Sequence, residues 1–357
     1  MRLALPYAIL AAAVAIAPVP AVAQSIGIVA PLSEAVASLG EQLRTGAEVA
    51  AAERGVAAAR LHVADDRCTA EGGEAAAREM VGAGVSIVVG FLCTEAIEAA
   101  LPIFKQAQVP VITPGVRTDS LTDRRDRTGW PIYRMAPRAD GERDAVSEIL
   151  IARWRNELFA IVDDGTIYGR ELVESFRLAA ETAGLKPVFV DTYRPQMDNQ
   201  VGLVARLRRA GATHVLVGGD RADVAIMGRD AAELGYELTI AAGENLRAAP
   251  GDVPLAVDTL MVALPEPAEI AAPAALDAFT RREIVPEGYM LPAYAALEIA
   301  ADALMRAQTE GTGIATALSA GSFDTAIGTI RFDNKGDLAQ SPYRLFRFDG
   351  EKFVQAE

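Results

Sequence analysis

Apolar and polar positions along the chain alternate between two spacings. Short apolar, β-branched runs at 26–30, 61–63, 85–90 and 109–113 read as strands buried on both faces. Stretches with helical spacing lie between them, at 38–54, 73–81 and 94–105. Strand and helix in regular alternation predict a parallel sheet with helices on both faces. Beyond Pro137 the pattern restarts. Helices are predicted at 144–155, 169–182, 201–210 and 222–234, and strands at 158–162, 188–191, 213–217, 238–242 and 259–263. Pro265, Pro267 and Pro273 mark a crossing, followed by helices at 274–282 and 292–308 and late strands at 329–332 and 343–348. Two α/β halves therefore stand in tandem, joined by several crossings. A cleft between such halves is a usual place for a small molecule.

The stretch VSIVVGFLCTEAIEAA, residues 85–100, concentrates the chemistry. Its strand ends at Gly90, and Thr94 stands where a helix N-cap belongs. A helix N-terminus in this position attracts anions, because free N–H groups and the helix dipole both favour negative charge. An ordinary cap with no ligand is the other reading. Ser38 and Glu41 have capping-box spacing at the start of the first helix. The polar segment 114–130 is long for a structureless connection, and such loops are often functional. Asp65-Asp66 and Asp163-Asp164 end strands and read as caps or solvated turns, since no six-oxygen set for a cation is nearby.

A chain of 357 residues suits two domains. With 51% apolar residues it can build a large core. The formal charge of −14, with no basic stripe interleaved with aromatics, excludes nucleic acid as an expected partner. Residues 1–23 read as a cleaved secretory signal: Arg2, an apolar run, and Ala21-Val22-Ala23 before Gln24. The apolar run is shorter than the roughly 20 residues of a membrane span. A periplasmic location follows. The two cysteines, Cys68 and Cys93, occupy similar positions in successive βα units, and in an exported chain a structural disulfide is favoured over a catalytic thiol.

Common catalytic signatures are missing. There is no Gly-x-Ser-x-Gly elbow, Walker A loop or His-Glu-x-x-His. His62 and His214 lie within strand patterns and read as core residues rather than as a base or ligands. No enzyme activity, cofactor or metal is expected.

Several strings together carry a family resemblance: IGIVAPLSEAVASLGEQLRTGAE, VADDRCTAEGGEAA, VVGFLCTEA, VPVITPG, VDDGTIYGREL and IGTIRFDNKGDL. Over nearly its whole length the mature chain resembles the branched-chain amino-acid binding proteins of bacterial ABC importers, the Leu/Ile/Val-binding type. The resemblance implies an α/β type I periplasmic binding protein, with two doubly wound parallel-sheet lobes joined by three crossings. It assigns 1–23 to the signal peptide, 24–137 and 268–340 to lobe 1, and 138–267 and 341–357 to lobe 2. It also implies a Cys68–Cys93 disulfide.

Ligand residues carry over one at a time. Thr94 matches the hydroxyl that bonds the ligand α-carboxylate, Gly115 a backbone contact, Tyr168 a second-lobe tyrosine, and Glu244 the acid that grips the α-ammonium. Three positions depart. Leu39 stands for an aromatic lid, Arg117 for a hydroxyl, and Asp220 for a second tyrosine. Arg117 either meets the ligand, pairs with Asp220 or swings out to solvent. If it meets the ligand, a solute more polar than leucine is expected, with an extra carboxylate or a polar amide. The implied function is a monomeric receptor passing an amino-acid-like solute to an inner-membrane ABC permease. A sensor module reporting the same ligand to a membrane partner is the alternative.

Overall fold

The structure is a computed structural model, and it describes residues 24–356. The expected signal segment 1–23 lies outside the described residues. Two mainly parallel sheets organise the rest. The first contains β1 (Ile26–Ala30), β2 (Leu61–Asp65), β3 (Ile87–Gly90), β4 (Val111–Thr113) and β5 (Ile132–Arg134), in the order β2-β1-β3-β4-β5 and all parallel. The second contains β6 (Phe159–Asp163), β7 (Phe189–Thr192), β8 (His214–Gly218), β9 (Thr239–Ala242) and β10 (Leu260–Ala263), with order β10-β9-β8-β6-β7. After a two-stranded hairpin, β11 (Phe323–Thr325) with β12 (Gly328–Ile330), the chain adds β13 (Arg344–Phe348) and β14 (Phe353–Gln355) antiparallel to β10. The predicted strand at 329–332 overlaps β12, whereas β11 and β14 are absent from the periodicity reading, because strands of three residues leave too little alternation to detect.

Helices cover both faces of each sheet. In the first lobe, Ala37–Glu53 and Met290–Glu310 pack one face, and Ala70–Gly82 and Thr94–Ala107 the other. The long C-terminal helix thus returns to the first lobe after the chain has built most of the second. Three crossings result: after β5, after β10, and between β12 and β13. In each sheet the winding direction reverses once, between β1 and β3 and between β6 and β8. Ligands in open α/β sheets bind outside the carboxyl ends of the strands at such reversals.

Local expectations needed four corrections. The capping box is not formed: a short 3-10 turn, Glu34–Val36, leads into the first helix, and Glu41 pairs with Arg44 at 2.5 Å instead. The 114–130 segment contains two short helices, Ser120–Asp123 and Arg125–Thr128. Asp66 is fully buried rather than solvated, and its Oδ1 accepts the N–H of the disulfide-bonded Cys68 at 2.9 Å. Both histidines lie on strands, but each is half-buried, so neither belongs to the fully buried core.

Candidate functional site

The first-lobe side is built around β3 and its turn. Phe91 takes a left-handed conformation (φ 65°), which ends the strand abruptly and throws the chain toward the helix. Cys93, not Thr94, holds the N-cap position; Thr94 is the first helical residue. Its hydroxyl is therefore not spent on its own helix. It meets the Thr118 hydroxyl at 2.6 Å. The disulfide Cys68–Cys93 anchors the residue immediately before it to the loop after β2. Leu39, 38% exposed, lies in the first turn of the helix that follows β1, across the reversal from Thr94.

The loop carrying Gly115, Arg117 and Thr118 is held from beneath. Thr113 Oγ1 accepts the N–H groups of Gly115 and Val116 at 3.4 and 3.2 Å. Arg134 is completely buried, and its Nη1 donates to the carbonyls of Arg117 and Thr118 at 3.0 and 2.6 Å. Its other nitrogens reach Asp337 Oδ1 at 2.8 and 2.6 Å and Thr122 at 2.5 Å. Asp337 also accepts from Arg138 at 3.1 Å. One buried guanidinium thus ties the loop to residues at the first and third crossings. A buried charge persists only when paired and hydrogen-bonded in this way.

On the second-lobe side, Tyr168 starts the helix Ile167–Thr182 after β6. That helix approaches β8 closely because Gly169 faces Gly218; a β-carbon on either would strike the other's carbonyl. The Tyr168 hydroxyl donates to Glu142 Oε1 at 2.7 Å, and the Glu244 N–H donates to the same oxygen at 2.6 Å. With no side chain, Gly243 leaves room for the Glu142 carboxylate and the Tyr168 hydroxyl, which a β-carbon there would displace. Burial pushes the Glu142 carboxyl up, while the two hydrogen bonds hold it partly back. Burial and then Glu142 push the Tyr168 phenol up. Glu244 opens the turn after β9, and its Oε1 accepts the Leu264 N–H at 3.0 Å. Asp220 follows β8 and caps the helix Arg221–Glu233, accepting the Asp223 N–H at 2.9 Å.

Arg117 does not pair with Asp220. It donates to the buried Tyr343 hydroxyl at 2.8 Å and, among the described residues, makes no ion pair within 4.0 Å. Its positive charge still acts on Glu142 and Tyr343, lowering both pKa values against the effect of burial. Beside the crossings, a cavity of about 180 Å³ is lined by Pro137, Arg138, Pro342 and Tyr343, among others; it includes none of Thr94, Tyr168 or Glu244.

The carboxyl ends of the two sheets thus carry all the sequence-derived positions, Thr94 meeting Thr118 on one side and Tyr168 lying close to Glu244 on the other. Sequence reading missed Thr118, Glu142, Arg134, Asp337 and Tyr343. Thr118 lies one residue beyond the position where the resemblance sought a hydroxyl. Glu142 could have been found as an acid in the first turn of the helix after the first crossing. Arg134 sits within a strand and gave no signal.

The match to a family model described as "Periplasmic binding protein" spans residues 23–352. The chain belongs to the periplasmic binding protein family. This family binds solutes rather than converting them. Among curated relatives of this periplasmic binding protein, the Leu/Ile/Val-binding protein homolog 3 of Brucella melitensis is 28% identical over 346 residues, covering 93% of each chain. The leucine-, isoleucine-, valine-, threonine-, and alanine-binding protein of Pseudomonas aeruginosa is 27% identical, covering 90% of this chain and 89% of its own. An ABC transporter substrate-binding protein from Desulfitobacterium hafniense, solved in complex with Leu, superposes with a TM-score of 0.61 at 21% identity, over 93% of this chain and 99% of its own. That likeness establishes the shared two-lobed fold.

Proposed function

We propose that this chain is the solute-binding component of an ABC importer, and that its interlobe cleft holds an amino acid or a related small polar carboxylate. The observation that carries this reading is the opposite polarity of the two walls. The first lobe offers the Thr94–Thr118 hydroxyls at a helix N-terminus. The second offers the Glu142 and Glu244 carboxylates. A zwitterion presents its carboxylate to the first and its ammonium to the second, and both contacts are charge-assisted.

In this reading Gly115 lends backbone to the carboxylate, Leu39 covers the cleft mouth, and Tyr168 fixes Glu142 toward the ligand. Arg117, held by Tyr343, stands on the hinge side of the ligand and favours a polar solute over a plain aliphatic one. The lobes, 24–137 with 268–340 and 138–267 with 341–357, close about the crossings as hinges do in binding proteins. The mature protein begins at Gln24 after export, acts as a monomer in the periplasm and docks on an inner-membrane permease.

Calorimetry of purified protein against aliphatic, amide, acidic, basic and aromatic acids tests the reading. One amino acid bound at a single site is the expected result. Binding of an aromatic acid with no amino acid bound would overturn it.

A further inference from the structure

The acidic wall of the second lobe continues beyond Glu142 and Glu244. At the carboxyl ends of β6, β7 and β8 the charges of Asp163, Asp164, Asp220 and Asp223 all act on Tyr193, which follows β7. Asp163 is fully engaged: it accepts the Gly165 N–H at 2.9 Å and the Thr192 hydroxyl at 3.1 Å, and lies 3.9 Å from Arg170. The other three each use one oxygen. Asp164 Oδ1 accepts the Thr166 N–H and hydroxyl, Asp220 Oδ1 the Asp223 N–H, and Asp223 Oδ1 the Gln196 N–H.

Behind them lie two buried polar atoms without a partner. Tyr193 is 4% exposed, and its hydroxyl, pressed against Gly219, has no hydrogen bond; Asp223 is 1% exposed, and its Oδ2 has none either. Buried polar groups in native proteins are paired nearly always, so two orphans in one place call for a missing partner. A cationic donor would satisfy both atoms, and three carboxylates at the same strand ends, each with an oxygen to spare, favour positive charge there. No Lys or Arg pairs with Asp164, Asp220 or Asp223 among the described residues. A metal ion does not fit: among the described residues no three acidic, His or Cys side chains converge on one point. Acids spread along a row of strand ends suit an extended donor set, such as a guanidinium fork or a mobile alkylammonium.

The span is also suitable. Glu244 follows β9, Asp220 the adjacent β8, and Asp164 the next strand, β6. Adjacent strands lie about 4.8 Å apart, so the row extends one to two strand spacings from the ammonium site, within reach of a three- or four-carbon side chain. Asp220, moreover, occupies a position where the Leu/Ile/Val-binding resemblance places an aromatic contact.

We propose that Asp164, Asp220, Asp223 and Tyr193 form a side-chain subsite for an organic cation, so that the cleft takes a basic amino acid. The ligand's α-carboxylate meets Thr94 and Thr118, its α-ammonium meets Glu244, and its terminal ammonium or guanidinium meets the far acidic side chains. This deepens, and rests on, the amino-acid reading above. Arg117 acts on Glu142 and Tyr343 at the hinge side, whereas the charges that act on Tyr193 and Asp223 are those of neighbouring acids.

The test is calorimetry of the purified protein with L-arginine, L-lysine, L-leucine, L-glutamine and L-glutamate. It is repeated on Asp220→Asn, which preserves the helix cap, and on Tyr193→Phe, which removes only the orphan hydroxyl. Arginine or lysine is expected to bind at least about ten-fold more tightly than the others. Asp220→Asn should weaken that binding roughly ten- to hundred-fold and Tyr193→Phe several-fold, with neutral amino acids little changed. A neutral or acidic amino acid bound best, or a basic one unaffected by both substitutions, would overturn the subsite and leave the amino-acid reading standing. Failure of every amino acid to bind would overturn both.

Discussion

The two walls of the cleft solve the same problem with different chemistry. On the first lobe the proposed ligand-facing groups are hydroxyls and backbone, with Arg117 at the hinge side, and the loop that carries them is braced: a buried guanidinium caps two loop carbonyls and a disulfide pins the residue before Thr94. Asp66 Oδ2, after β2, is the one buried side-chain atom there without a partner among the described residues. On the second lobe the groups are carboxylates, several with an oxygen still uncommitted, and two buried atoms have no partner at all. A finished wall fixes where the common head of the ligand goes. An unfinished wall is where one ligand can be told from another, because a correct ligand supplies what is missing and an incorrect one leaves it unpaired.

Substitution at Arg134 attacks the finished wall most severely. Arg134→Met leaves Asp337 buried without its main partner and should cost about 3–5 kcal/mol of stability, read by denaturant unfolding. Arg134→Lys keeps the charge but not the fork, so it should fold better yet bind ligand less tightly, since one ammonium cannot hold both loop carbonyls and Asp337. If the first lobe tolerated Arg134→Met with no loss, its loop would not depend on this scaffold. Next in size is the disulfide, which closes a loop spanning 25 residues. Replacing Cys68 and Cys93 by Ser should remove about 3 kcal/mol, and thiol titration of the native protein should find no free cysteine.

Glu244→Gln turns to the second wall. The amide can still accept the Leu264 N–H, so stability should stay within about 0.5 kcal/mol. Ligand affinity should fall by about 2 kcal/mol or more, roughly thirty-fold, because an ammonium then lacks its counter-charge. Equal losses of stability and affinity would make Glu244 a structural residue.

The smallest effect is one of pH. Asp66 in the first lobe and Asp223 in the second both have folded pKa values raised to about 6. Each binds its proton more tightly folded than unfolded, so stability is fully present below about pH 4 and is lost as pH rises through 6. The melting temperature of the free protein should therefore rise by a few degrees between pH 7 and pH 5. Asp66→Asn and Asp223→Asn should each flatten part of that rise. A saturating cationic ligand should remove the Asp223 share and leave the Asp66 share.

Much of this was legible in the sequence. Long apolar runs at β1, β3, β6, β8 and β9 gave the strands, the turn after β3 gave Thr94, and the family resemblance placed Tyr168, Asp220 and Glu244 in the turns after β6, β8 and β9. Such positions are readable because a strand followed by a helix puts its turn at the sheet's carboxyl edge wherever the fold repeats. What stayed hidden depends on contacts between distant segments. Arg134 and Asp337 are 203 positions apart, and an arginine inside a three-residue strand has no periodicity to mark it. Arg117 and Tyr343 are 226 apart, so the choice among ligand, Asp220 and solvent for Arg117 could not include its actual partner. The Thr94 cap was misplaced because cap preference describes an isolated helix, whereas here a hydroxyl from another loop competes for the side chain.

The central claim is that the two walls close on one small ligand. Small-angle scattering of the purified protein, with and without the best-binding amino acid at saturation, tests it most directly. The expected result is a smaller radius of gyration with ligand present, and no such change for Glu244→Gln at the same ligand concentration. An unchanged radius for the wild-type protein with calorimetrically saturated sites would contradict it.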